Sequence, residues 1–247
     1  MIDQKRLQLL ISTAESMGLK PEYMDNVNLV SIEVAGKKHY LFPQASNPNS
    51  QTSSWLAKNK YLSRALFEQH GLLNIPYLYP ATLSQAQAFL QEHKRIIVKP
   101  VKGKHSENIH LVSTEKELLE LNLDGYILEK FIKGRETRFL VICGEVKAVH
   151  YKSYESEVND PERTKRISLK KEQWDRGLVA TAIKAADVLG LIFTAVDFLV
   201  AEDGTSFILE INSAPGIQRF QEPTQGPPFD VMRTYLELIV DPLKNAN

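Results

Sequence analysis

The chain has 247 residues, 43% hydrophobic and 24% charged, the proportions of a globular protein, which excludes a disordered or fibrous chain. Thirty Lys and Arg balance thirty Asp and Glu, so no basic excess points to nucleic acid, and any anion site must be local. A single cysteine, Cys143, excludes an intrachain disulfide framework and a Cys-rich zinc site, and fits a reducing, cytoplasmic setting.

The N-terminus carries no signal-peptide core, and no apolar run approaches the roughly 20 residues that a membrane-spanning helix needs. Leu7, Leu10, Ile11 and Ala14 repeat at helical spacing and stop at Gly18. Two short runs, 29–34 and 38–42, flank Ala35-Gly36-Lys37 and read as a hairpin. The polar stretch 43–54 is expected to be a linker, with a first boundary there. Ser53 or Ser54 is then expected to cap a helix that runs to His70 and ends at Gly71. Pro76 and Pro80 keep the following stretch extended. Ser84-Gln85-Ala86-Gln87 fits a capping box for a helix to about His93. A proline-terminated strand at 96–100, a strand at 109–113 and a helix from Thr114, with Glu117 three residues on, complete a mixed lobe over 55–125.

A second lobe over 126–247 opens with a strand at 126–132. Runs 137–143 and 146–152 flank Gly144-Glu145 as a hairpin, with Cys143 expected as an inert thiol in the apolar strand. The charged stretch 153–165 reads as a mobile loop; within and beside it, Arg163 and Arg166 are candidates for recognising an acidic substrate. Trp174, Leu178, Ala182, Ala185, Ala186 and Leu189 form one helical stripe ended by Gly190. A strand pair, a loop at 212–228 and an amphipathic helix at about 230–239 finish the chain.

The strand pair is the most informative segment. Asp203-Gly204 lies between two β-branched and aromatic runs, the strongest short hairpin signal. With those two as the turn residues, Leu199 faces Ile208 and Asp197 faces Glu210, with Asn212 on the same face. The other face reads Val196, Phe198 and Val200 against Phe207, Leu209 and Ile211, and is expected to be buried. Two carboxylates about 5 Å apart on a half-buried hairpin call for a cation between them. Two acidic oxygens and an amide oxygen suit Mg²⁺, which leaves its other positions to water and phosphate. The alternative is that both carboxylates face solvent, since a one-residue change in the turn would set them on different faces.

The ordered set of Lys60, Ile97-Val98-Lys99-Pro100, Leu128-Glu129-Lys130-Phe131-Ile132, Gly134-Arg135-Glu136, Arg138, Asp197 and Glu210-Ile211-Asn212-Ser213-Ala214-Pro215-Gly216 resembles the ATP-grasp superfamily. It is most similar to the branch of ribosomal-protein glutamate ligase, cyanophycin synthetase and bifunctional glutathione synthetase. The resemblance spans about residues 55–220. It implies an α+β fold of two lobes gripping ATP, preceded here by a short helix-and-hairpin segment at 1–54. By the same resemblance Lys60 and Lys99 meet the phosphates, and the backbone of Glu129 and Ile132 meets the adenine edge. Lys130 and Phe131 belong to that hinge, and Glu136 takes the ribose hydroxyls. Asp197, Glu210 and Asn212 hold Mg²⁺, with Mn²⁺ as a substitute. Arg138 stabilises charge near the γ-phosphate or an acyl-phosphate, and Lys152 lies on the carboxylate-substrate side.

Two departures stand beside this likeness. The loop after Lys99-Pro100 is glycine-rich in the branch, whereas Val101-Lys102-Gly103-Lys104-His105-Ser106-Glu107-Asn108 keeps one glycine. Only about 54 residues precede the grasp region, where many relatives carry a substrate domain. Self-association into a homo-oligomer, or a substrate that brings its own shape, is therefore expected to complete the site. The resemblance implies an ATP-dependent carboxylate–amine ligase acting through an acyl-phosphate on small-molecule or peptide substrates. The alternative is a Mg·ATP-binding module with little or no turnover, acting in a larger assembly. Neither nucleic acid nor membrane is expected as a partner.

Overall fold

The computed structural model describes residues 4–42, 48–102, 108–154 and 164–244. The spacing of Leu7, Leu10 and Ala14 becomes α1 (Gln4–Ser16), which buries those side chains, and the chain leaves it through Gly18 at φ +75°. Strands β1 (Glu22–Met24), β2 (Leu29–Val34) and β3 (Lys37–Leu41) form one antiparallel sheet. The β2–β3 turn has two residues rather than three. Ala35 and Gly36 both take positive φ, and Lys37 already pairs with Val34.

The expected single helix is broken in two. Ser50, not Ser53 or Ser54, caps α2 (Gln51–Lys58), and Asn59 caps α3 (Lys60–Gln69) with its side chain on Leu62 N. Asn59 sits at extended φ and ψ and bridges to Lys102, and an asparagine favours such a cap over a helix interior.

Next come β4 (Tyr77–Leu78), α4 (Leu83–His93), β5 (Ile96–Pro100), β6 (His110–Val112), α5 (Glu115–Leu119) and β7 (Tyr126–Lys130). Their sheet runs β4-β7-β5-β6. Thr114 and Glu117 form the expected capping box. For α4 the box is Thr82 with Gln85, so the helix starts before the expected Ser84.

The rest comprises β8 (Gly134–Ile142), β9 (Glu145–Tyr154), β10 (Thr164–Ser168), α6 (Arg176–Val188), β11 (Phe193–Ala201), β12 (Ser206–Asn212), α7 (Gln218–Gln221) and α8 (Val231–Lys244). The larger sheet runs β10-β9-β8-β11-β12, all antiparallel. Cys143 and Gly144 form the β8–β9 turn at φ 49° and 75°. Cys143 is therefore exposed in a turn, not buried in an apolar strand as expected, because the strand pairing ends at Ile142 and Glu145.

Among the described residues the buried side chains form three apolar clusters. One face of the larger sheet (Phe139, Val141, Val149, Val196, Phe198) packs against α6 and also against Ala57 and Phe67 of α2 and α3. The other face (Leu140, Ile142, Ala148, Phe193) packs under α7 and α8, together with α1 and the β2 and β3 residues Val30, Ile32, Val34 and Leu41. The N-terminal segment thus shares a core with the C-terminal lobe. The smaller core holds Ala86, Leu90, Ile96, Val98, Val112, Leu118 and Leu128, and β7 lies in its sheet. Apolar residues of α2 and α3 reach the large sheet.

Candidate active site

The β11–β12 hairpin sets Asp197 opposite Glu210, as expected, but by a different route. The connection is a three-residue loop, Glu202-Asp203-Gly204, closed by Ala201 N donating to Thr205 O at 2.8 Å, with Gly204 at φ +85°. That third residue shifts the ladder, so Leu199 pairs with Phe207 and Phe198 with Ile208, not Leu199 with Ile208. A bulge between Asp197 and Phe198 leaves Leu209 unpaired and shifts the ladder back. Without it, Leu209 would oppose Asp197. Ile208, in place of Leu209, joins Val196, Phe198 and Ile211 in the buried core, and Phe207 and Val200 are only half-buried.

The pairings continue Glu210–Asp197 across the sheet to Arg138, then His150, then Ser168. Directly paired residues share a face, so these five form one polar row across all five strands. Arg138 donates from Nε and Nη2 to the two oxygens of Asp197, each at 2.5 Å, and lies 3.8 Å from Glu210 Oε1. Asn212 Nδ2 donates to Glu210 Oε1 at 2.9 Å and to Asp197 Oδ2 at 3.4 Å. Burial pushes the Asp197 carboxyl up to about 6, an effect that Arg138 only partly offsets. Burial also acts on Glu210, but the Asn212 amide and the Arg138 charge outweigh it and hold that carboxyl down at about 2. Burial disfavours the Arg138 charge, yet Asp197 wins and raises its pKa. Thr194 Oγ1 fixes the Asn212 carbonyl at 2.9 Å, and the buried Asn49 side chain bonds Phe193 and Ser213 just beyond.

Two lysines lie within electrostatic reach of Glu210. Lys60 begins α3, where its backbone N donates to Val101 O at 3.0 Å, and this draws it beside the strand that carries Lys99. Burial and the neighbouring Lys99 charge lower the Lys60 pKa, while Glu210 acts on it in the opposite sense, so the two lysines and Glu210 lie within electrostatic reach of one another. Glu129 is buried at 2% exposure, where its carboxylate accepts from Lys99 Nζ at 2.6 Å and from Arg64. Burial opposes its charge, but Arg64 and Lys99 prevail and lower its pKa. Its backbone is flanked by Tyr77 of β4 and Ile97 of β5 and lies within the ladder. Arg64, one helical turn after Lys60, escaped the sequence reading. The four-residue spacing from Lys60 is the signal that would have singled it out.

Lys130 is exposed at the end of β7, and Phe131 lies under Arg95, whose Cζ is 4.2 Å from the ring centroid. Their backbone N–H groups bond Pro76 O and Arg95 O, and Ile132 is half-buried just beyond. Glu136 and Lys152, assigned to ribose and to substrate respectively, are brought together as an ion pair on β8 and β9. Arg166 pairs with Lys152 across β9 and β10. His150, buried at 1% exposure between these cations, is a second residue the sequence reading passed over. Its ring stacks near Phe220 with centroids 4.4 Å apart. Gly103, Lys104, His105, Ser106 and Glu107 of the glycine-poor loop, and Arg163 of the charged stretch, lie outside the described residues.

Among the described residues, no three His, Cys, Asp or Glu side chains converge on one point. Two carboxylates and an amide oxygen nevertheless make a hard donor set, and they leave about half the positions of an octahedral Mg²⁺ to phosphate and water. Turning the Asn212 amide over presents its oxygen in place of its nitrogen. The residues fit a cation held jointly with a polyphosphate.

Residues 57–226 match the family model of the RimK-like ATP-grasp domain. The chain is 26% identical over 177 residues to the tetrahydromethanopterin:α-L-glutamate ligase of Methanocaldococcus jannaschii, covering 64% of this chain and 59% of that protein. Among solved structures, bifunctional glutathione synthetase from Pasteurella multocida superposes with TM-score 0.72 at 13% identity, over 96% of this chain and 44% of that one. The macrocyclase MdnC from Microcystis aeruginosa, bound with precursor peptide MdnA, superposes with TM-score 0.68 at 15% identity, over 100% of this chain and 97% of that one. The chain spans less than two thirds of the curated relatives it matches. No described helix is long and apolar enough to cross a membrane. With most of its length matched in sequence and the same architecture recovered in space, the chain belongs to the RimK-like ATP-grasp domain family.

Proposed function

We propose that the protein is an ADP-forming carboxylate–amine ligase that joins a small-molecule or peptide carboxylate to an amine. The observation that carries this reading is the polar row Glu210–Asp197–Arg138 with Lys60 and Lys99 within electrostatic reach of Glu210. A ligase of this kind transfers the γ-phosphoryl group of ATP to a substrate carboxylate, and the amine then displaces phosphate from the acyl-phosphate. Protein groups in such a reaction mainly position reactants and neutralise charge. Lys60 and Lys99 supply point charges for the phosphates, and Lys99 is aimed by Glu129. Asp197, Glu210 and Asn212 would hold Mg²⁺, which when bound would supply neutralisation of the phosphate charge. Arg138, fixed by its fork on Asp197, would stabilise charge on the transferring group or the acyl-phosphate. Lys152 and Glu136, paired beside it, line the substrate side.

The similar proteins named above include one named for a glutamate substrate and one bound to a peptide, which supports a range from amino acid to peptide. The test is ADP release over a panel of acids and amines, with Mg·ATP binding measured in parallel. Turnover is expected with at least one pair, and Asp197→Asn or Glu210→Gln should reduce it at least a hundredfold, the scale of losing a principal electrostatic group. Unchanged turnover in both variants would overturn the metal assignment. Tight Mg·ATP binding without ADP release on any pair would return the reading to a nucleotide-binding module.

A further inference from the structure

Arg64 is 3% exposed and belongs to a helix, yet its guanidinium bonds go to two backbone carbonyls of β12 and to Glu129. Its Nη1 donates to Ile208 O at 3.1 Å and its Nη2 to Leu209 O at 3.0 Å. In a regular strand successive carbonyls point to opposite edges, so one guanidinium reaches two in a row only where the strand is bulged. Here the bulge residue is Leu209, immediately before the candidate metal ligand Glu210. The bulge also turns carbonyls toward the outer edge of β12, where no further strand of the sheet lies. Asn74 bridges Ile208 on that edge, and Asn74 Nδ2 bonds Arg64 O at 2.8 Å, so the backbone that carries Arg64 is itself fastened there.

The same Nη2 also donates to Glu129, whose second oxygen holds Lys99 at 2.6 Å. One buried cation therefore joins the bulge that turns Glu210 toward Asp197 to the carboxylate that aims a phosphate-side lysine. We propose that Arg64 is a positioning residue that fixes the register of the metal-bearing hairpin and couples it to Lys99, an assignment that rests on the Mg·ATP reading above. It touches neither metal nor nucleotide. Lysine cannot replace it, because a single ammonium lacks the planar fork that spans two carbonyls and a carboxylate.

The experiment uses Mn²⁺ as the metal probe, with free Mn²⁺ read by electron paramagnetic resonance in the presence of a non-hydrolysable ATP analogue. Binding by the unsubstituted chain is the reference, and its absence overturns the functional reading and this inference together. Arg64→Lys, folded by circular dichroism, should lose about tenfold or more in Mn²⁺ affinity, the usual cost of removing a residue that supports a ligand from behind. Metal-free binding of the analogue should fall less. Arg64→Met, which also releases Glu129, should weaken both. A folded Arg64→Lys protein with undiminished Mn²⁺ affinity overturns the proposal while leaving the functional reading intact. A structure of the unsubstituted chain with magnesium and the analogue tests it without any variant. Arg64 still on the Ile208 and Leu209 carbonyls supports the assignment, and Arg64 swung onto a phosphate overturns it.

Discussion

Asp197 and Glu210 face each other across one hairpin, yet burial separates them: Asp197 is 3% exposed, whereas the Glu210 side chain keeps 38% of its surface. Arg138 is the cation that offsets both, and its removal leaves a buried carboxylate with no fork to answer it. Arg138→Ala should therefore cost about 3–5 kcal/mol, the penalty of stranding a buried charge. Adding Mg²⁺ should raise the melting temperature of the variant more than that of the unsubstituted protein, which thermal melts with and without the metal will read. His150, next in the row, gives a pH signature. Burial first, then the charges of Arg138, Arg166, Lys152 and Arg219, push its pKa from 6.5 down to about 3. The folded state holds it neutral and the unfolded chain protonates it below 6.5. Its contribution is thus present above that pH and is lost as pH falls toward 3, by up to about 4–5 kcal/mol at ~1.36 kcal/mol per unit. Urea midpoints of His150→Leu should gain on those of the unsubstituted protein steadily between pH 6 and 4. Parallel curves would mean that His150 is not held neutral by the fold.

Among the elements, two glycines separate steric need from conformational need. A Cβ on Gly134, where the chain enters β8 from the smaller sheet, would lie 2.4 Å from Val200 O and 2.9 Å from Val200 C, both backbone atoms. Gly204 in the hairpin loop meets nothing within 4 Å and is constrained only by φ +85°. Gly134→Ala should cost about 3 kcal/mol or more, the upper end for a clash the backbone cannot relieve, and Gly204→Ala about 1 kcal/mol. Chemical denaturation of the two variants measures the difference. The pairing of Asp197 with Glu210 is legible in the sequence because Asp-Gly marks the hairpin and strand alternation does the rest. It is legible partly by cancellation: a two-residue loop and a straight strand lead to the same pair as the observed three-residue loop and bulge. The bulge itself is not legible, because what holds it open is Arg64 on another element. Nor is β1, whose three residues carry no period, or the break at Asn59, where the apolar spacing runs on unbroken. The chain order of the lysines, the hinge and the metal-side residues makes the fold readable. The ion pairs of Glu129 and of Glu136 with Lys152 depend on which side chains the two sheets bring together, and local pattern does not carry that.

For the whole molecule, the distribution of cores decides what unfolds together. Leu10 of α1, 2% exposed, lies in the same cluster as Leu236 of α8 and Leu140 of β8, so residues from both ends of the chain bury one surface. Leu90 of α4, 6% exposed, lies in the separate cluster between α4, α5 and the smaller sheet. The described links between the two bodies include Arg64 with Glu129, the Lys60–Val101 bond, Tyr77 Oη on Glu68 and the ring contacts of Tyr61 with Tyr77 and Tyr79, while the buried apolar clusters stay separate. Small-lobe unfolding should consequently be separable from that of the larger body, as for any unit whose apolar contacts are mostly internal. Each of Leu10→Ala and Leu90→Ala should cost about 2–5 kcal/mol, but in different places. In scanning calorimetry without nucleotide, Leu10→Ala should lower the larger transition and leave the smaller one in place, and Leu90→Ala should do the reverse. With Mg·ATP at many times its dissociation constant, a ligand bound between the two bodies should raise both transitions and draw them together. If both variants shift one shared transition equally in the absence of nucleotide, the two bodies are thermodynamically one, and the N-terminal segment has no closer tie to the C-terminal lobe than to the small one.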